Sequence, residues 1–154
     1  MVSLGAAMVC SLSVHSLALQ VPDPFVGTWK VNLAKSTYDP GPAPRSSTAR
    51  YEAIEGGYRQ TADGTDANGQ PTHSVLMLVL DGKDHPIQGN PNADTVAFTR
   101  RDVRAIDSIW KKGGQVTITA SNVVSADGKV RTITQKGGDA QGRAVNTVIV
   151  SEKQ

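Results

Sequence analysis

The chain has one cysteine in 154 residues, Cys10, which rules out an intramolecular disulfide and any metal site built on two or more thiolates. Aromatic residues make up only 5% of the sequence, so each of them marks a place where a core or a ligand contact is expected. No strong charge of one sign is present: 16 Lys and Arg against 14 Asp and Glu leave a net charge of +2. No basic block stands clear of acidic neighbours, so nucleic acid is not an expected partner. No apolar stretch is long enough to cross a bilayer as a helix. The local signatures H-E-x-x-H, G-x-S-x-G, the P-loop and G-x-G-x-x-G are all missing, and with them the usual marks of zinc hydrolysis, serine hydrolysis and nucleotide binding. No cofactor is expected. With 38% hydrophobic and 19% charged residues, the composition is too apolar for a disordered chain.

What is present divides into a short leader and one domain. From Met1 to Gln20 there is no charged side chain, and Leu4 to Val14 has the length and small-apolar character of a signal-peptide core. Ser16-Leu17-Ala18 supplies small residues where a signal peptidase reads, so a cut after Ala18 is expected, giving a periplasmic or secreted protein whose mature chain has no cysteine. Ala7-Met8-Val9-Cys10 resembles a lipoprotein box only weakly, with a bulky Val before the cysteine. Residues 21–154 then form a single domain.

Beyond Pro24 the apolar residues recur with period two. Phe25, Trp29, Val31 and Leu33 alternate with Thr28, Lys30 and Asn32, the pattern of a half-buried strand, and Gly27 interrupts the apolar row. A Pro-rich loop follows at 38–44. Further strands are expected at Thr48–Ile54, Tyr58–Ala62, Thr72–Leu80, Lys83–Gln88, Thr95–Arg101, Ala105–Lys111, Gln115–Val124, Lys129–Lys136 and Arg143–Glu152, ten in all. The separators are turn sequences such as Glu55-Gly56-Gly57, Gly113-Gly114 and Ala126-Asp127-Gly128. No helical crossover pattern exists. The expected fold is all-β, an antiparallel up-and-down β-barrel of about ten strands, with a two-sheet sandwich as the alternative. Asp66-Ala67-Asn68-Gly69 is similar to part of a calcium loop, but Gly64 and Val75 stand where the first and last ligands belong. It reads as a hairpin turn, and no metal is expected.

Phe25-Val26-Gly27-Thr28-Trp29-Lys30 resembles the opening strand of the calycin superfamily, where lipocalins carry G-x-W and fatty-acid-binding proteins F-x-G-T-W-K. The resemblance covers about six residues. It implies that Trp29 closes one end of a barrel and packs on a basic residue from a late strand, for which Arg131 and Arg143 are both available. It also implies a lumen that binds a small apolar molecule. Two features depart from the family: the lipocalin T-D-Y motif is absent, and the Pro-rich loop stands where fatty-acid-binding proteins have a helix pair. The stretch from Asp81-Gly82-Lys83 to Asp94-Thr95-Val96 also resembles small exported bacterial proteins without an assigned activity.

The candidate ligand contacts are the aromatic residues Tyr51, Tyr58, Phe98 and Trp110, together with one face of the fourth strand, His73, Val75, Met77 and Val79. For each of these, core packing is the alternative. Gly27, Trp29 and Arg131 are candidates for a structural role. Val75 to Leu80 is an uninterrupted apolar run, so whichever face does not look inward needs a cover; self-association into a homo-oligomer through 75–80 is one way to supply it. His73 is the only candidate general base, with Asp107, Tyr51 or Tyr58 as conceivable partners. His85 beside Asp84 and Pro86 reads as surface, and Arg100, Arg101 and Arg104 as a solvated turn. Three functions follow: a carrier of a small apolar or amphipathic molecule, a cofactor-free isomerase, cyclase or lyase using the lumen, and an envelope interaction module whose barrel is filled.

Overall fold

Alternating residues pair into hairpins, and Asp- and Gly-containing turns separate them. A computed structural model of the chain describes residues 21–154. The expected signal peptide at 1–20, Cys10 included, lies outside the described residues. The strands are β1 (Gly27–Val31), β2 (Ser46–Ile54), β3 (Gly57–Thr65), β4 (Pro71–Val79), β5 (His85–Pro86), β6 (Thr95–Asp102), β7 (Ala105–Lys112), β8 (Gln115–Val124), β9 (Val130–Gly138) and β10 (Ala144–Lys153). A 3-10 turn, Leu33–Lys35, follows β1 and is capped by the Asn32 side chain.

The sheet order is β4-β3-β2-β1-β10-β9-β8-β7-β6-β5, antiparallel throughout. Strands adjacent in sequence pair throughout except β4 and β5, which stand at the two ends of the sheet. β1 also pairs with β10, setting Trp29 opposite Ala49 on one side and Lys153 on the other. That ladder rolls the meander into a nearly closed up-and-down barrel, with β4 and β6 approaching each other across a gap that no ladder spans. It is not a two-sheet sandwich. The strand expected at 83–88 shrinks to His85–Pro86, because Pro86 has no N–H to extend a ladder.

Side-chain chemistry fixes the corners. The Asp66 carboxylate accepts from the backbone N–H of Asn68 and Gln70, so Asp66 to Gly69 is a hairpin turn. Asp127 and Asp139 act in the same way on Lys129 and on Gln141 and Arg143. Gly137 permits a close approach of strands: its φ is +148°, and a Cβ there would lie 1.9 Å from the Thr117 carbonyl oxygen.

One end of the barrel is plugged. Phe25, Trp29, Tyr58, Val96 and Ile106 are buried to 1% exposure or less, and the Trp29 Nε1–H donates to the Phe25 carbonyl at 2.8 Å. Gly27 (φ +131°) leaves room for Lys153, whose Nζ sits 5.1 Å from the Trp29 ring centroid. At the opposite end the Pro-rich loop is fastened to β10. Thr37 and Val148 exchange backbone hydrogen bonds of 2.7 and 2.8 Å, and Asn146 N–H donates to the Asp39 carbonyl.

Candidate functional site in the barrel lumen

Pairing decides which residues face inward. Tyr58 and Gln60 lie opposite Leu78 and Leu76 across β3 and β4, and because side chains alternate, Leu76 and Leu78 enter the lumen while the residues between them point out. Above the plug these inward rows line a partly open cavity of about 200 Å³. Its walls are mainly apolar, with Leu76, Leu78, Phe98, Ile106 and Trp110 among them. The Phe98 and Trp110 rings meet edge to face at 6.1 Å.

The polar groups that reach this cavity are few and mostly engaged with each other. Tyr51 hydroxyl donates to Gln60 Oε1 at 2.7 Å, and Trp110 Nε1–H donates to Ser108 Oγ at 2.9 Å. Asn122 is different: it lines the cavity at 8% exposure, and its Oδ1 is buried with no hydrogen-bond partner. A buried carbonyl oxygen without a partner costs about 1–3 kcal/mol. That cost falls away when a hydroxyl, an N–H or a water reaches it.

Below the cavity lies Arg131, 3% exposed, with its guanidinium 5.4 Å from the Trp29 ring centroid and 4.6 Å from that of Tyr51. Of the two arginines, Arg131 is therefore the one over Trp29, which it shares with Lys153. Arg143 lies in the β9–β10 turn, paired to Asp139 at 2.7 Å. Arg131 Nε and Nη1, and the Ser151 Oγ of its cross-strand neighbour, have no hydrogen-bond partner.

Tyr58 belongs to the plug. Its hydroxyl donates to Asp23 and accepts from Arg100, and Arg100 lies 5.5 Å from the Tyr58 ring centroid and 5.6 Å from that of Phe25. Burial, and then the hydrogen bond to Asp23, push the Tyr58 phenol up to about 12, with Arg100 pulling the other way.

Of the sequence-based candidates, Tyr51, Phe98 and Trp110 line the cavity. His73, Val75, Met77 and Val79 do not, and here the expectation is corrected. Val75 and Met77 are exposed on the outer face at 47% and 46%. His73 lies out there too, its Nδ1 2.7 Å from Asp63 Oδ1 with both side chains exposed. The reason is a one-residue choice of face: the run Val75 to Leu80 is apolar at every position, so it offers no alternation, and the Tyr58 and Gln60 pairings select the even residues. The proposed base and its partners are also not brought together. His73 and Asp107 lie outside, Asp107 bound to Arg101 at 2.8 Å, while Tyr51 and Tyr58 lie inside. Gln60, Ser108, Asn122 and Gln135 were not foreseen. Each is a polar residue inside a strand, and only the pairing register turns it inward. Among the described residues, no three His, Cys, Asp or Glu side chains gather as a metal ion requires.

No protein-family model matches the chain, and no curated protein matches it. Solved structures do. The zebrafish ileal bile acid-binding protein, complexed with cholic acid, superposes with a TM-score of 0.54 at 14% identity, covering 85% of this chain and 99% of that one. As-p18, an extracellular fatty acid binding protein, superposes with a TM-score of 0.55 at 16% identity, covering 86% and 98%. The fold is a calycin-like barrel. In this calycin-like barrel, Trp29 on β1 and Arg131 on β9 form the end plug, and the space above them is the candidate site.

Proposed function

We propose that the protein is an exported carrier that holds one small apolar or amphipathic molecule in the lumen of its barrel. The observation that carries this reading is the partly open lumenal cavity of about 200 Å³ with apolar and aromatic walls. Apolar walls supply affinity by burial. The structural neighbours are named for binding a bile acid and a fatty acid, which supports a lipophilic ligand here. A cofactor-free enzyme has less support, because among the described residues no acid–base pair lines the cavity. A filled barrel has less support because of the cavity itself.

The test is native mass spectrometry of the protein purified from its own host, followed by solvent extraction and a thermal-shift screen against lipophilic compounds. A stoichiometric bound molecule supports the carrier. A ligand at a hundred times its Kd stabilises the fold by about 2.7 kcal/mol, a shift of several degrees. Bare protein with no shift against any compound refutes the proposal. N-terminal sequencing of the same preparation tests export: a chain starting after Ala18 supports it, and a chain retaining Met1 or Val2 refutes it.

A further inference from the structure

Two neighbouring recesses share part of their lining. Gln135 and Ile149, inward on β9 and β10, line the inner cavity and also line a second recess of about 300 Å³ at the open rim. The rim recess lies between the Pro-rich loop and two turns, with Tyr38 and Pro40 on one side and Asn92 and Gln141 on the others. Asn92 ties this rim together. Its carbonyl accepts from Thr117 hydroxyl, and its side-chain oxygen accepts from Ala140 N–H across the mouth. The rim walls are more polar than the inner walls, through Tyr38, Gln135 and Thr147. Its two charged side chains, Asp139 and Arg143, are bound to each other and leave the rim without net charge. Burial raises the Tyr38 phenol, which keeps it a neutral donor at ordinary pH.

We infer that the two spaces are one channel, and that its occupant is an elongated, uncharged amphipath whose apolar part fills the inner cavity while a hydroxyl- or amide-type group rests at the rim beside Tyr38 and Gln135. This rests on the carrier reading and extends it to ligand length and headgroup charge. An ordinary carboxylate would gain little at the rim, because Arg143 already has a partner in Asp139. A short ligand would leave the outer recess to water.

The experiment is isothermal titration of the mature protein with 1-alkanols from 1-hexanol to 1-dodecanol, and with the alkanoic acids of the same lengths. In the wild type, affinity rises about fourfold per added methylene through the series. Val145→Phe narrows the rim from β10, and Gln141→Trp covers it from an exposed turn where folding is not at stake. In both, the ratio of 1-dodecanol to 1-hexanol affinity falls at least tenfold. An unchanged ratio in folded Gln141→Trp and Val145→Phe overturns the channel, as does a wild-type series that stops rising at its shortest members. Acids that bind more than tenfold tighter than the matching alcohols overturn the uncharged headgroup. If no alcohol or acid binds the wild type at all, the carrier reading itself falls.

Discussion

Replacing Tyr58 by Phe tests the plug, and the size and pH dependence of its effect follow from the geometry. The hydroxyl makes two hydrogen bonds to charged partners, Asp23 and Arg100, each worth about 1.5–3 kcal/mol in isolation. Asp23 and Arg100 are already within 3.8 Å of each other, and their side chains are about one-third exposed at 37% and 33%. In the variant they pair with each other and with water, so the net loss near pH 8 is about 1–2 kcal/mol. The phenol adds a pH signature. In the folded state it titrates at about 12, against about 10 in an unfolded chain. Between those values the unfolded chain gives up its phenolic proton while the folded protein keeps it, so stability falls as pH rises through this window. Two pH units correspond to at most about 2.7 kcal/mol. Groups common to both proteins cancel in the difference. Urea denaturation of wild type and Tyr58→Phe between pH 8 and pH 12 therefore shows an advantage for the wild type that shrinks to about zero, or reverses, at the alkaline end. An advantage that stays constant across the window would refute the claim that the fold holds Tyr58 neutral.

Other perturbations separate the inner and outer faces of the same strand. Leu78→Ala removes a side chain that is 2% exposed in the core and is expected to cost about 2–5 kcal/mol in urea denaturation, because the cavity beside it enlarges. A cost below 1 kcal/mol would mean that the lumen collapses to fill the space. Met77→Glu, one residue away on the outer face, is expected to change stability by less than about 0.5 kcal/mol. If copies associate through the 75–80 run, sedimentation of this variant shows the association abolished, while equal sedimentation at all concentrations in wild type removes that idea. Gly137→Ala places a methyl group 1.9 Å from the Thr117 carbonyl at a backbone φ of +148°, and a loss of more than about 2 kcal/mol is expected in thermal or urea unfolding.

Much of this architecture can be read along the chain. The alternation around Trp29 marks β1, and turn residues such as Asp127-Gly128 separate strands whose ends agree with the structure to within a few positions. The curling of the meander was legible because no helix interrupts ten short strands, and a sheet that long needs its edges removed; how completely it closes was not, and β4 and β6 are joined by no ladder. The site was only partly legible. Tyr51, Phe98 and Trp110 stand out as scarce aromatics within alternating strands, and they do line the cavity. The face of β4 was hidden because Val75 to Leu80 carries no polar residue to break the symmetry; only pairing with Tyr58 and Gln60 on β3 resolves it. Arg131 and Arg143 were equivalent as sequence. The structure distinguishes them because Arg131 falls opposite Ser151 within a ladder, while Arg143 falls in a turn beside Asp139. The polar lining of Gln60, Ser108 and Asn122 escaped notice since isolated polar residues within strands look like solvent-facing positions until register is known.

The ladder between β1 and β10 has a consequence for how the molecule is made. Local hairpins can form two separate curls, β1 to β4 and β5 to β10, as soon as each is synthesised. Yet what clasps the two curls together is the pairing of Trp29 to Val31 with Ser151 to Lys153. Bringing such distant segments together carries a closure entropy of about 4 kcal/mol for a loop of roughly 120 residues. Non-local pairing of that kind is slow. A ribosome delivers the first strand of the clasp early and its partner last, so the unclasped curls present their apolar inner faces throughout elongation. The interval before β10 arrives is when this chain is most vulnerable to aggregation and most in need of a chaperone.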